Sequence, residues 1–376
     1  MDFEPLEQYL HSLDQVGIPA CDCTVHYHGK QVFRSLQGYS DVGKTRPTSS
    51  SDLYWLFSAS KLFTCTAVLQ LVEAGKIQLE DSISKYFPAF AELKVREREK
   101  TPYPAKRIPT IRELLSMTGG FDYNFNVPAL AEIRKNSCAT TSQVIEALAQ
   151  EPIYFEPSSH YCYSLGHDIL AAILEVAADM TFGEYLKTHL FKPLGIEHMG
   201  FHPNLEQQQR FSAQYIYSVP DYTATLRPTQ NEFIFSPYYE SGGAGLFGTA
   251  EDYMRFAAAL ANNGRSSNGV SILLPETIQM MATNQLNRSC LTDFQSQPRF
   301  YGYGYGMGVR THMRPEVTLS KSPAGEFGWD GAAGAYVLID PKNQLAIFYV
   351  QHVLCCDYAF NKIHPHIRDL VYEALE

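Results

Sequence analysis

The chain begins with an apolar stripe at helical spacing. Leu6, Leu10 and Leu13 in MDFEPLEQYLHSLDQVG recur every three to four residues, which predicts an amphipathic surface helix. The next stretch, CDCTVHYHGKQVFRSLQGYSD, alternates apolar and polar residues around His-Gly-Lys and predicts two strands joined as a hairpin. From Ser58 to Gly75 the pattern changes again. Leu62, Phe63, Cys65, Val68, Leu69, Leu71 and Val72 are apolar almost all round, so a helix buried on most sides is expected, with Ser58 at its start and a glycine at its end.

The middle of the chain reads as mostly helical. Thr110 with Glu113, Thr140 with Gln143, Thr181 with Glu184 and Thr249 with Asp252 each set a side-chain acceptor three residues before an acid or amide, the signature of a helix start. Between about residues 290 and 350 the period returns to strands: GYGYGMGVR, EFGWDG, then AYVLID and QLAIFYVQ joined by a Pro-Lys-Asn turn. A helix, HPHIRDLVYEAL, follows. Strands at both ends with helices between predict a discontinuous sheet domain of residues 1–85 and 290–376, interrupted by a mostly helical domain over 86–289. Hairpin-length links make the sheet antiparallel.

Composition narrows the function. With 376 residues, 45% of them apolar and 13% aromatic, the chain can bury a large core. Its net charge of −10, with no Lys/Arg-rich run, argues against nucleic acid or an anionic membrane as partner and favours a small molecule. The first residues carry acids where a secretory leader carries bases, and no run of about 18 apolar residues occurs, so a soluble, cytoplasmic protein with no membrane span is expected. The eight cysteines form no C-x-x-C pair, which predicts reduced thiols. HYH at 26–28 and HPH at 364–366 lack a third ligand, so no metal and no cofactor are expected. GYGYGMG is interleaved with tyrosines and reads as one strand rather than a phosphate loop, and the absence of G-x-S-x-G counts against an α/β-hydrolase fold.

The candidate chemistry sits in FSASKLFT. Ser58 and Lys61, at i and i+3, share one face of the helix, whereas Ser60 has Phe63 three residues on. A helix N-terminus and burial both favour an amine there that can take a serine proton.

The surrounding segments LYWLFSASKLFTCTAVLQLVEAGKIQLEDSISKYFP, IPTIRELLSMTGGF, YLKTHLFKPLGIEHMGF and GGAGLFGTAEDYMRFAAAL resemble, in order, those of the serine β-lactamase-like superfamily. That group holds class C β-lactamases, D-alanyl-D-alanine carboxypeptidases and related esterases. The resemblance implies an α/β plus all-α protein of β-lactamase/transpeptidase-like fold, an antiparallel sheet flanked by helices with an inserted helical domain. It also implies roles. Ser58 is the nucleophile, Lys61 activates it, and Tyr163 in YCYSLGHDIL shuttles protons as base and acid. Leu165 stands where the family usually has asparagine, and Trp329, Asp330 and Gly331 stand where penicillin-recognising members have Lys-Thr-Gly. The amides of Ser58 and Ala332 form an oxyanion hole.

The departure at Trp329 and Asp330 changes the expected substrate. Tryptophan offers an apolar face and Asp330 would repel the carboxylate of a β-lactam or a D-alanyl terminus. Aromatic residues crowd the segments that border the cleft in this family, Phe121, Tyr123 and Phe125, Phe233, Phe235, Tyr238 and Tyr239, and Tyr301, Tyr303 and Tyr305. Part of that set is core. Phe121, Tyr123, Tyr239 and Leu165 join Trp329, Asp330 and Gly331 as expected substrate contacts. The expected activity is a carboxylesterase acting on small apolar or aromatic esters through an acyl-enzyme, its partner a small-molecule ester or acyl donor. An acyltransferase using an alcohol or amine acceptor, a β-lactamase or D-alanyl peptidase, and a non-catalytic ligand binder are the alternatives.

Overall fold

Among the described residues, seven strands from the two ends of the chain form one antiparallel sheet: β1 Ala20–Tyr27, β2 Lys30–Gly38, β3 Tyr303–Tyr305, β4 Arg310–His312, β5 Phe327–Asp330, β6 Tyr336–Asp340 and β7 Leu345–Val350. Their order is β2-β1-β7-β6-β5-β4-β3. The computed structural model describes residues 1–97, 101–219 and 221–376. The β1–β2 hairpin turns through His28 and Gly29, both at positive φ (49° and 73°), as a two-residue hairpin requires. The closing contact of the sheet joins the chain's ends, with Asp22 opposite Val350 and Tyr27 opposite Leu345.

β7 explains the layering. Its run LAIFYV is buried throughout, because both faces are covered. Ala346, Phe348 and Val350 join the core that contains helices α2 (Lys61–Glu73), α3 (Gly166–Ala178) and α4 (Ala250–Ala261). Leu345, Ile347 and Tyr349 face the opposite way and pack with α1 (Glu4–His11) and α5 (His364–Leu375). Leu6, Leu10 and Leu13 are buried in that second core, so the N-terminal stripe has its partner. α4 packs on β7, β6 and β1, although it lies in the middle of the sequence.

The four threonine caps form. Thr110, Thr140, Thr181 and Thr249 each accept a hydrogen bond from the amide three residues on, and the first three are completed as capping boxes by Glu113, Gln143 and Glu184. Each cap contributes about 1 kcal/mol. Two elements depart from the sequence pattern. The middle region includes a hairpin, Gln214–Ser218 with Thr223–Arg227, which pairs in parallel with Val353–Leu354. GYGYGMGVR is two strands rather than one: the chain reverses where the Gly306 amide bonds the Val309 carbonyl at 2.8 Å, and Gly308 takes φ 74°. A Cβ at Gly308 would meet the Cys65 sulfur at 2.1 Å, so glycine is required there for packing as well as for the turn.

All eight cysteines are free thiols. Among the described residues, no group of three His, Cys, Asp or Glu side chains could hold a metal ion, and no helix is long and apolar enough to cross a membrane.

Candidate active site

α2 begins from a short 3₁₀ turn, Phe57–Ser60, and this turn decides which serine is presented. Ser60 is buried and its Oγ accepts from the Leu246 amide at 3.1 Å, so it fastens the turn to the neighbouring strand segment. Ser58 stays partly open. Phe57, just before it, is held at φ 47°, a left-handed conformation that is costly for a bulky residue, and its ring packs edge-on against Phe233 at 5.9 Å. Strain of that kind at the residue that aims Ser58 fits a presented nucleophile.

Lys61 is 0% exposed. Its Nζ donates to three oxygens: the Gly243 carbonyl at 2.7 Å, the Tyr123 hydroxyl at 3.3 Å and Ser58 Oγ at 3.4 Å. The ammonium group also lies 4.5 Å from the centre of the Tyr163 ring and 5.1 Å from that of Tyr123, and the two rings stack at 5.4 Å. The nitrogen is therefore enclosed by aromatic faces with its donors aimed at fixed acceptors.

The two tyrosines, both partly buried, have different surroundings. Tyr123 is pushed well above the ordinary phenol range, first by burial and then by the charge of Asp168 and by Tyr163, so it remains a neutral phenol and serves as a hydrogen-bond partner. The Tyr163 hydroxyl instead accepts from the Trp329 indole Nε1 at 3.1 Å. Its own proton is left to be directed elsewhere. A cavity of about 990 Å³ opens beside it, lined among others by Asp122, Tyr154, Tyr161 and Asp293.

The segments that carry the expected oxyanion amides also meet. β5 ends against the turn that carries Ser58, and a Cβ at Gly331 would meet the Leu56 carbonyl oxygen at 2.3 Å. Only glycine allows that approach, which brings the backbone running into Ala332 against the Ser58 turn. Gly331 and Ala332 are held in a tight turn by Gly331 N–H to Ala335 O and Gly334 N–H to Gly331 O, both 2.8 Å.

Not every expected substrate contact is here. Trp329 and Tyr123 are in the cluster. Trp329, 5% exposed, stacks on Tyr163 at 5.6 Å and on Phe300 at 5.7 Å. Asp330 points the other way, because successive residues of a strand alternate faces. It sits among Arg310, Arg299 and His364, and although burial opposes its charge, Arg310 and His364 hold its carboxyl down at about 2. Its charge faces the Arg310 and Arg299 guanidinium groups behind the sheet and not the Ser58 cleft, so repulsion of a substrate carboxylate by Asp330 is not part of this site. Phe121 packs edge-on against Phe90 in the core. Leu165 is buried at the start of α3, its amide on the Asp122 carbonyl. Tyr239 is buried behind Lys61, donating to Asp168 Oδ1 at 2.7 Å.

Two functional positions were not assigned from sequence. Gly243 supplies the shortest contact to Lys61, and Gly242 accepts from Thr64 Oγ1 at 2.6 Å. The signal was the adjacent glycines themselves. A Cβ at Gly242 would meet the His167 carbonyl at 2.3 Å, and one at Gly243 would meet Asp168 Oδ2 at 2.6 Å and the Tyr123 hydroxyl at 2.7 Å. Asp168 is the second. It is buried in α3 and accepts from Tyr239, Ser241 and the Gly243 amide, so it fixes the turn whose carbonyl holds Lys61.

Known proteins resemble this chain over most of its length. The model of the Beta-lactamase family matches residues 7–353, and the chain belongs to that family. It is 27% identical over 329 residues to Protein Rv1367c of Mycobacterium tuberculosis, covering 84% of this chain and 81% of that one. It is 25% identical over 347 residues to Esterase EstB of Burkholderia gladioli, covering 85% and 82%. Among solved structures, EstCE1, a hydrolase with promiscuous acyltransferase activity, superposes with a TM-score of 0.79 at 23% identity over 98% of this chain and all of that one, a likeness of fold.

Proposed function

We propose that this member of the Beta-lactamase family is a serine carboxylesterase for small apolar or aromatic esters, working through an acyl-enzyme on Ser58. The observation that carries the reading is the contact of buried Lys61 with Ser58 Oγ inside an aromatic cluster completed by Trp329. Lys61 assists removal of the serine proton, and Tyr163 hands a proton to the departing alcohol. The Ser58 and Ala332 amides receive the charge that develops on the carbonyl oxygen, an interaction worth about 3 kcal/mol per donor. Water then attacks the acyl-enzyme, its proton restores Tyr163, the proton held by Lys61 returns to Ser58, and the acid is released.

Substrate choice rests on the tryptophan. At a position where a lysine would hold a substrate carboxylate, Trp329 offers an indole face already packed on Tyr163 and Phe300. Neutral esters are favoured over anionic β-lactams and D-alanyl peptides. The similarity to Esterase EstB supports the same direction. Rates with short p-nitrophenyl esters and with nitrocefin test it: ester hydrolysis is expected to be far faster, and the reverse ranking contradicts the reading of Trp329.

One observation favours a second reading. Phe57, Tyr123, Phe125 and Phe233 pack around the nucleophile's turn and limit water, which favours transfer of the acyl group to an alcohol. Adding a short alcohol to the ester assay separates the two, since a transferase yields more new ester than free acid.

A further inference from the structure

The turn that holds Lys61 also links it to a buried carboxylate. Lys61 Nζ donates to the Gly243 carbonyl at 2.7 Å. The N–H of the same peptide, on Ala244, donates to Ser241 Oγ at 3.0 Å, and that hydroxyl donates to Asp168 Oδ1 at 2.6 Å. Every donor in this chain is directed from the lysine towards the carboxylate, so each bond polarises the next in one sense. A second arm runs beside it. The Tyr123 hydroxyl accepts from Lys61 at 3.3 Å, and it converges with Asp168 Oδ2 on Gly243, the two oxygens lying 2.7 Å and 2.6 Å from where a Cβ there would stand. Oδ2 is buried and receives no hydrogen bond, and its charge is felt at the Tyr123 phenol.

We propose that Asp168 is a positioning residue for the base: through these two arms its charge steadies the ammonium that Lys61 becomes on taking the Ser58 proton. The proposal rests on the acyl-enzyme reading of Ser58.

Lys61 needs such a partner. It is buried, and its three acceptors, a carbonyl, a phenol and the serine hydroxyl, are all neutral. A buried charge without a counter-charge is costly. The geometry also orients the amine. Neutral Nζ has two N–H donors and a lone pair; with the Gly243 carbonyl and Tyr123 taking the donors, the lone pair is left for Ser58. The proton then passes from Ser58 Oγ to Nζ, Oγ bonds the substrate carbonyl carbon, and the carbonyl π pair moves to the oxygen at the Ser58 and Ala332 amides. The new N–H is the third donor, facing Oγ.

The titratable groups around the pair are Cys65 of α2, His167 of α3, Tyr123, Tyr163, Tyr239 and, beyond them, Tyr305 of β3. Burial pushes Cys65, Tyr123, Tyr239 and Tyr305 up and His167 well down, which keeps those five uncharged. Asp168 is the anion of this set.

The rate at which a fluorophosphonate labels Ser58, followed between about pH 5 and pH 10, reads the base without depending on the natural ester. Labelling is expected to rise with pH along a limb set by Lys61. Asp168→Asn keeps the size and removes the charge. It should move the midpoint of that limb down by roughly one pH unit, because the ammonium loses its counter-charge, and lower the plateau several-fold. Ser241→Ala cuts the first arm and leaves the charge, so a smaller shift in the same direction is expected. Circular dichroism checks that each variant is folded. A purely structural role would slow labelling at every pH alike, so an unmoved midpoint in Asp168→Asn, or in Ser241→Ala should Asp168→Asn not fold, overturns the proposal while the acyl-enzyme reading stands. No labelling of Ser58 in the unaltered protein overturns both.

Discussion

Trp329 and Tyr163 form one unit: the indole Nε1 donates to the phenol oxygen at 3.1 Å while the two rings stack at 5.6 Å. The residue that replaces the expected lysine therefore does more than make the site apolar. It fixes the direction in which Tyr163 can give its proton. Trp329→Phe keeps most of the stack and deletes the donor. The expected result is a fall in kcat for ester hydrolysis of about tenfold with KM little changed, the cost of one lost hydrogen bond of ~1–1.5 kcal/mol. Steady-state kinetics on a p-nitrophenyl ester check it, and an unchanged kcat would separate the indole from the chemistry.

The different surroundings of the two tyrosines that enclose Lys61 predict different losses. Tyr163→Phe removes the proton carrier and should lower kcat by about 10²–10⁴. Tyr123→Phe removes an acceptor from Lys61 but no acid or base, because burial keeps Tyr123 a phenol, and about tenfold is expected. Parallel kcat measurements decide this, and a larger loss at Tyr123 would transfer the shuttle role to it.

Glu175, at the exposed-side end of α3, gives a pH-dependent stability. Burial pushes its carboxyl up to about 7, aided by the nearby charge of Glu240, despite the bond it receives from the Phe182 amide. A carboxyl whose folded pKa lies above its unfolded value contributes stability that is full below about 4.5 and lost as pH rises through 7. Glu175→Gln removes that loss. Urea unfolding should show the variant more stable at pH 8 by on the order of 1 kcal/mol, after allowance for solvent screening, and no more stable at pH 4. An equal difference at both pH values would rule out titration as its origin.

Much of this architecture is legible in local sequence because its causes are local. A threonine three residues before an acid caps a helix whatever lies beyond it, and the spacing of Leu6, Leu10 and Leu13 fixes one face. Ser58 and Lys61 meet for the same reason, being three residues apart where the 3₁₀ turn runs into α2. Asp330 marks the limit. Trp329 and Asp330 are adjacent in one motif, yet a strand sends the two to opposite faces, and the side chains around Asp330 come from β4, α5 and the 3₁₀ turn Pro298–Phe300. The Gly243 carbonyl on Lys61 is a contact across 182 residues, visible in advance only as a pair of glycines.

The central claim is that Ser58 is the nucleophile and depends on Lys61. Incubation with a fluorophosphonate, followed by mass analysis of the peptide containing FSASKLFT, tests it most directly. The adduct is expected on Ser58 in the unaltered protein and in Ser60→Ala, and is expected to be lost in Ser58→Ala and strongly slowed in Lys61→Met. An adduct on Ser60, or none on this peptide while the protein still hydrolyses esters, would contradict the account.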